Sequence, residues 1–184
     1  AIDAPLIINN VSGQRACESA LSKDYASKKA SCHAANLGLY PDAFSVKFAD
    51  ILLQNGHEHL NGKQWQIECY PHPALIEIFS LEERMLYKKG SVADKKIGQI
   101  ALSNLLIKLA SSKVLKLIIP RELSVYLDEE HINKLRGKAL KSNEDALDAI
   151  ICLYIATLHG MNARGKLYGE SANGYIWVPT LSCI

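Results

Sequence analysis

The sequence predicts an α/β domain, and three observations carry that prediction. Apolar or alternating segments that read as strands open the chain, recur near its middle and close it. Between them, apolar residues recur at helical spacing. The composition is that of an ordinary globular chain: 184 residues, 48% hydrophobic and 22% charged, with a net charge of +2. The length suits one domain over residues 1–184, with a helical insertion around 14–60. Disorder needs low hydrophobicity and high net charge, and this chain has neither. No apolar run approaches the roughly 20 residues of a membrane-spanning helix. Five cysteines at irregular spacing, with no C-x-x-C pair, predict a reducing cytoplasm rather than a disulfide framework or structural zinc.

Taken in order, Ala1–Ile8 reads as a buried strand interrupted by Asp3 and Pro5. A domain rarely opens inside a core strand. The start therefore predicts that the sheet is completed by sequence upstream of Ala1 or by a second copy of the chain. Gln14–Lys29 reads as a polar helix, and Ser31–Pro41 as irregular. Phe44, Phe48, Ile51 and Leu52 form one face of a second helix, ended by Asn55-Gly56. Gln64–Tyr70 alternates like a strand with one buried face. Pro71 and Pro73 close it, and a short helix follows through Phe79.

Asp94–Ala110 reads as a long helix with Ile97, Ile100, Ala101, Asn104, Leu105, Lys108 and Leu109 on related faces. Pro120 introduces a smaller helical region ending near Lys138, and Ser142–His159 is the strongest helix. Gly165–Gly169 and Ser171–Gly174 read as turns, and Tyr175–Pro179 as the last strand.

Chemistry concentrates at few places. Asp145 and Asp148, three apart, project from one helix face beside an apolar stripe of Leu147, Ile150, Ile151, Tyr154 and Leu158. Neighbouring carboxylates raise each other's pKa unless a cation lies between them, and a hard divalent metal accepts such oxygens. The same acids also suit a capping start at Ser142-x-x-Asp145 and the helix dipole. Asp3, at the end of the first strand, is a site acid or a loop cap. Glu68 precedes a second strand end. His72, between two prolines, is a proton shuttle, a ligand or a local cap. From Arg84 to Lys116 there are eight cations and one anion. That segregation suits a phosphate-backbone surface or a solvated helix face. Arg15 is placed to grip a further phosphate. Phosphate-cradling, dinucleotide, zinc-protease and nucleophile-elbow motifs are absent.

Three segments together resemble a known family: Ala1-Ile2-Asp3-Ala4-Pro5-Leu6, Glu68-Cys69-Tyr70-Pro71-His72-Pro73 and Asp145-Ala146-Leu147-Asp148-Ala149. Gly13-Gln14-Arg15-x-Cys17 and Gly174-Tyr175-Ile176-Trp177-Val178-Pro179 add to the match. The chain resembles the domain-of-unknown-function family DUF429, described as predicted nucleases with a ribonuclease H-like fold. Its last helix also resembles that of RuvC-type junction resolvases. The resemblance implies a mixed β-sheet flanked by helices, lacking here the N-terminal strands of that fold. It implies carboxylates holding Mg²⁺ or Mn²⁺: Asp3 from the central strand, and Asp145 and Asp148 from the closing helix. Glu68 and His72 would lie near the same cleft.

The reading is a metal-dependent nuclease acting on DNA or RNA. Asp3, Glu68, Asp145 and Asp148 are its catalytic candidates, and Asp3, Asp145 and Asp148 its metal ligands. Arg15, His72, Lys88 and Lys89 lie on the substrate side. One alternative is a non-catalytic nucleic-acid-binding or scaffold protein on a decayed nuclease fold. Another is a phosphohydrolase of small phosphorylated molecules.

Overall fold

The computed structural model describes residues 1–184. The chain is a mixed α/β structure of six α-helices, two 3₁₀ turns and four short strands. No helix is long and apolar enough to cross a membrane.

The centre is the segment that includes β2 (Gln64–Gln66) and runs on to Cys69. Backbone groups of a strand point alternately to either side, so a central segment can hold a neighbour on each. Gln66 O accepts from Leu60 N, just past β1 (His57–His59), and Glu68 O accepts from Trp177 N of β4 (Gly174–Pro179), each at 3.0 Å. On the other side, Ile2 N donates to Ile67 O at 2.9 Å and Cys69 N to Ile2 O at 3.0 Å. The β1–β2 pair is parallel, as are the Ile2–Glu68 and Cys69–Trp177 bridges, whereas β3 (Gly165–Glu170) is antiparallel to β4. The sheet is therefore mixed, though its central links are single bridges.

Both faces of β4 are covered. Tyr175 and Trp177 join the main apolar cluster with α3 (Pro71–Phe79), α4 (Val92–Lys108) and α6 (Gly137–Gly160). Ile176 and Val178 pack with Cys17, Leu21 and Tyr25 of α1 (Ala16–Tyr25). This alternation is the period of two that a doubly covered strand requires. The buried stripe of α6 contains Leu147, Ile150, Ile151, Tyr154 and Leu158, as the spacing predicts. All five cysteines are free, with Cys69 Sγ and Cys152 Sγ 3.7 Å apart.

Several local expectations are corrected. Only Ile2 of the opening segment makes a bridge. Pro5 has no N–H to give, and the Leu6 N–H goes to the Glu68 side chain at 2.9 Å rather than to a neighbouring strand. Helix α6 begins at Gly137, so Ser142 lies in its interior and caps nothing. Gly165–Gly169 is strand, because β4 pairs with it throughout. A Cβ on Gly165 would come within 2.6 Å of the Trp177 indole nitrogen, so this glycine makes room for the ring. The apolar face of α2 (Phe44–Gln54) forms as spaced, but Phe44 and Ile51 are 79% and 54% exposed. In α4 the buried positions are Gly98, Gln99, Leu102, Ser103 and Leu106, while Ile97 faces out. The face is rotated because the 86–87 backbone presses on the helix at Gly98, where a Cβ would stand 2.6 Å from Tyr87 Cα.

Candidate functional site

Two prolines, at the first and third positions of α3, tolerate the unpaired N–H positions of a helix start. They set the strand-to-helix corner that follows Glu68. The loop after α3 is clamped on α4 at Gly98. This places Tyr87 and Lys88 against α6. The α6 N-terminal turns are pinned in turn by Asn143 Nδ2, which donates to Gln99 Oε1 at 3.0 Å and to Tyr126 O at 3.2 Å.

Asp3 and Asp148, far apart in sequence, meet on one cation. Lys88 Nζ lies 2.7 Å from Asp148 Oδ2 and 3.4 Å from Asp3 Oδ2. The buried Tyr87 hydroxyl donates to Asp148 Oδ1 at 2.7 Å. Burial, followed by the Asp148 charge, pushes that hydroxyl above the usual tyrosine range, so it stays a donor. Burial works against the Lys88 charge, but Asp3 and Asp148 hold it above the ordinary lysine value.

One turn earlier on α6, Glu144 is buried and Asp145 is largely exposed. Lys141 Nζ bridges them at 2.7 Å to each. Glu144, Asp145 and Asp148 each offer an oxygen within 4.8 Å of the others. An octahedral Mg²⁺ site has metal–oxygen distances of about 2.1 Å, which set its ligand oxygens about 3–4 Å apart. The three acids therefore fit a divalent ion after small side-chain adjustments, in competition with two ammonium groups. Glu144 is the member that sequence reading passed over as a ligand. Its signal was present in the Glu144-Asp145 pair, but only the helix register shows that it turns inward.

Arg15 and Glu68 are arranged otherwise. Both are buried, at 3% exposure each. Arg15 Nη1 and Nη2 donate to the two Glu68 oxygens at 2.9 and 2.5 Å, and Nε donates to Glu18 at 2.9 Å. A further Nη1 bond reaches Ile7 O at 3.0 Å. Glu18 also accepts from the Arg15 and Ala35 backbone at 2.9 and 3.1 Å. The network ties the opening segment, α1 and the central strand together. The structure thus joins Asp3 to Asp148 through Lys88, groups Asp145 with Asp148, and commits Arg15 and Glu68 to each other.

His72 stacks edge-on to Tyr70 and Tyr87, with ring centroids 5.6 and 5.5 Å away. Burial, then Lys88, Arg84 and Lys89, pulls its pKa down to about 4. Lys88 and Lys89 line the cavity that His72 faces. Arg84 completes that group. It was legible only as one charge among the eight of the basic segment.

These features define an α/β protein with acids from its first residues and its longest helix gathered around lysine. The family model described as a protein of unknown function (DUF429) matches residues 1–172, and the chain belongs to that family. No curated protein and no solved structure matches it significantly.

Proposed function

We propose that the protein is a metal-dependent nuclease that hydrolyses phosphodiester bonds at the Asp148 cluster. The meeting of Asp3 and Asp148 on the Lys88 ammonium carries this reading. The chain has concentrated carboxylates where a cation is already required, with Glu144 and Asp145 close enough to enlarge the site. Acids contributed by a segment beside the central strand and by a late helix support a ribonuclease H-like arrangement. Five unbridged thiols support a reducing compartment such as the cytoplasm.

Asp148, Asp145 and Glu144 are the residues that would hold Mg²⁺ or Mn²⁺, with Asp3 alongside. Such an ion supplies Lewis-acid activation of water and stabilisation of the leaving oxygen. The remaining roles belong to the chain itself. Tyr87 fixes one oxygen of Asp148 and leaves the other directed at Lys88. Lys88 neutralises the acids at rest and faces the cavity where the cations Arg84 and Lys89 await a phosphate. The buried Arg15–Glu68 pair positions the opening segment, and hence Asp3, through the Leu6 and Ile7 backbone.

Cleavage of short DNA and RNA substrates in Mn²⁺, with and without Asp148→Asn, tests the reading. Metal-dependent cleavage by the wild type and none by the variant is expected. Cleavage of equal rate in both proteins refutes the assignment of Asp148. Nucleic-acid binding without metal affinity would instead favour the non-catalytic alternative.

A further inference from the structure

Two cavities flank the Asp3–Lys88 pair. One, of about 440 Å³, is largely apolar and is walled by Pro5, Ala35, Tyr40 and Phe44, with Asp3 among its lining. The other, of about 210 Å³, lies between His72, Arg84, Lys88 and Lys89. His33 and Tyr70 line both, so they form the partition between them. The Asp3–Lys88 pair spans the same boundary, since Asp3 lines the first cavity and Lys88 the second.

The second cavity is short of negative charge. Neither Arg84 nor Lys89 takes part in any ion pair of the structure. Arg84 Nε and His72 Nδ1 are both buried without a hydrogen-bond partner. Native structures rarely leave buried polar groups unpaired; turned towards the cavity, the Arg84 guanidinium and the His72 ring would meet an anion with several acceptor oxygens beside the uncompensated cations. A phosphate group meets that need, and the guanidinium fork suits it. The first cavity has the size and apolar lining of a small-molecule pocket, with aromatic residues at hand for a planar ring.

We infer that the paired cavities bind a single nucleotide unit bearing a terminal phosphate, the phosphate among His72, Arg84 and Lys89 and the base between Tyr40 and Phe44. This deepens the phosphodiester reading of the neighbouring acids, because it gives the substrate as a phosphorylated strand end or a free mononucleotide. Asp3 then lies beside the nucleotide, and Asp148 is joined to it through Lys88.

The test is calorimetric and is run in chelator, so that it does not depend on a metal. The probes are adenosine 5′-monophosphate, adenosine, inorganic phosphate, and a trinucleotide with and without a 5′-phosphate. The nucleotide is expected to bind at least tenfold tighter than adenosine. Arg84→Gln and Lys89→Gln each remove most of that preference, and Lys89 is exposed, so its variant folds even if Arg84→Gln does not. Tyr40→Ala weakens the nucleotide and adenosine but leaves inorganic phosphate unchanged. A phosphorylated trinucleotide that binds as tightly as the mononucleotide identifies the strand end as ligand; weaker binding identifies the free nucleotide. Equal affinity for the nucleotide and adenosine, or a phosphate preference that survives Lys89→Gln, overturns the inference. Retained Mn²⁺ binding in that event leaves the carboxylate reading standing, whereas nucleotide binding without Mn²⁺ binding refutes only the latter.

Discussion

Lys88 and Lys141 are built-in counterions, and each holds the place a metal would contest. Lys88 serves Asp3 and Asp148, and Lys141 serves Glu144 and Asp145. Replacing Lys141 by Gln frees two candidate ligands, so Mn²⁺ affinity should rise several-fold by calorimetry; an unchanged or weaker affinity would exclude those oxygens. The Arg15–Glu68 pair has a different character. Removing one partner of a buried charge pair strands the other, at a cost of about 3–5 kcal/mol. Glu68→Gln should therefore lower stability by that order in urea denaturation, and a loss below about 1 kcal/mol would deny it the structural role. His72 gives the pH dependence. Its pKa is about 4 in the folded chain against an ordinary 6.5, so the folded state prefers the neutral ring. Its contribution to stability is whole above pH 6.5 and is lost as the pH falls towards 4. Melting temperature should fall over that window, and less so in His72→Gln. At this scale Asp3, Asp148, His72, Lys88 and Lys89 were legible as candidates from residue type, whereas Lys141 was not. The burial of Arg15 and Glu68 was not, because their pairing joins residues 15 and 68 through a fold that local patterning does not specify.

Among the elements, those with strong local signals formed where the pattern placed them. The apolar stripe of α6, the short helix ending at Phe79 and the Tyr175–Pro179 strand were all readable, whereas Pro71 and Pro73, read as closing the strand, lie in the first turn of α3. The misread elements were decided by tertiary partners. Strand β3 is glycine-bounded and looks like a turn, yet β4 pairs with its whole length. The buried face of α4 is set by the loop lying on Gly98, not by its apolar periodicity. That contact also positions Tyr87 and Lys88. Gly98→Ala would push its methyl into the Leu86 and Tyr87 backbone. The loop must then move, and overpacking of this kind costs about 1–3 kcal/mol. The variant should lose Mn²⁺ affinity along with stability, whereas Ile97→Ala, on the exposed face of the same helix, should change neither. Equal metal affinity in Gly98→Ala and wild type would separate the loop from the site.

For the whole molecule, net charge says little and its distribution says more. The chain is only +2, but its basic segment carries eight cations, two of which, Arg84 and Lys89, line the cavity of about 210 Å³ without an ion-pair partner. For single strands, log affinity falls with log salt by about 0.7 per neutralised phosphate. Binding through Arg84 and Lys89 therefore predicts a slope of about −1.4, against about −5.6 if all eight cations of the segment engaged a strand. The sheet architecture makes the central claim possible, since the first residues pair with the segment ending at Cys69 and α6 packs on Cys69 through Cys152. The most direct test is a calorimetric titration of Mn²⁺ into the wild type and into Asp148→Asn, with melting curves for both. Saturable binding by the wild type, lost in a variant that melts at the same temperature, is the predicted result. No saturable binding by the wild type, or equal binding by the two proteins, would contradict a metal centre at Asp148.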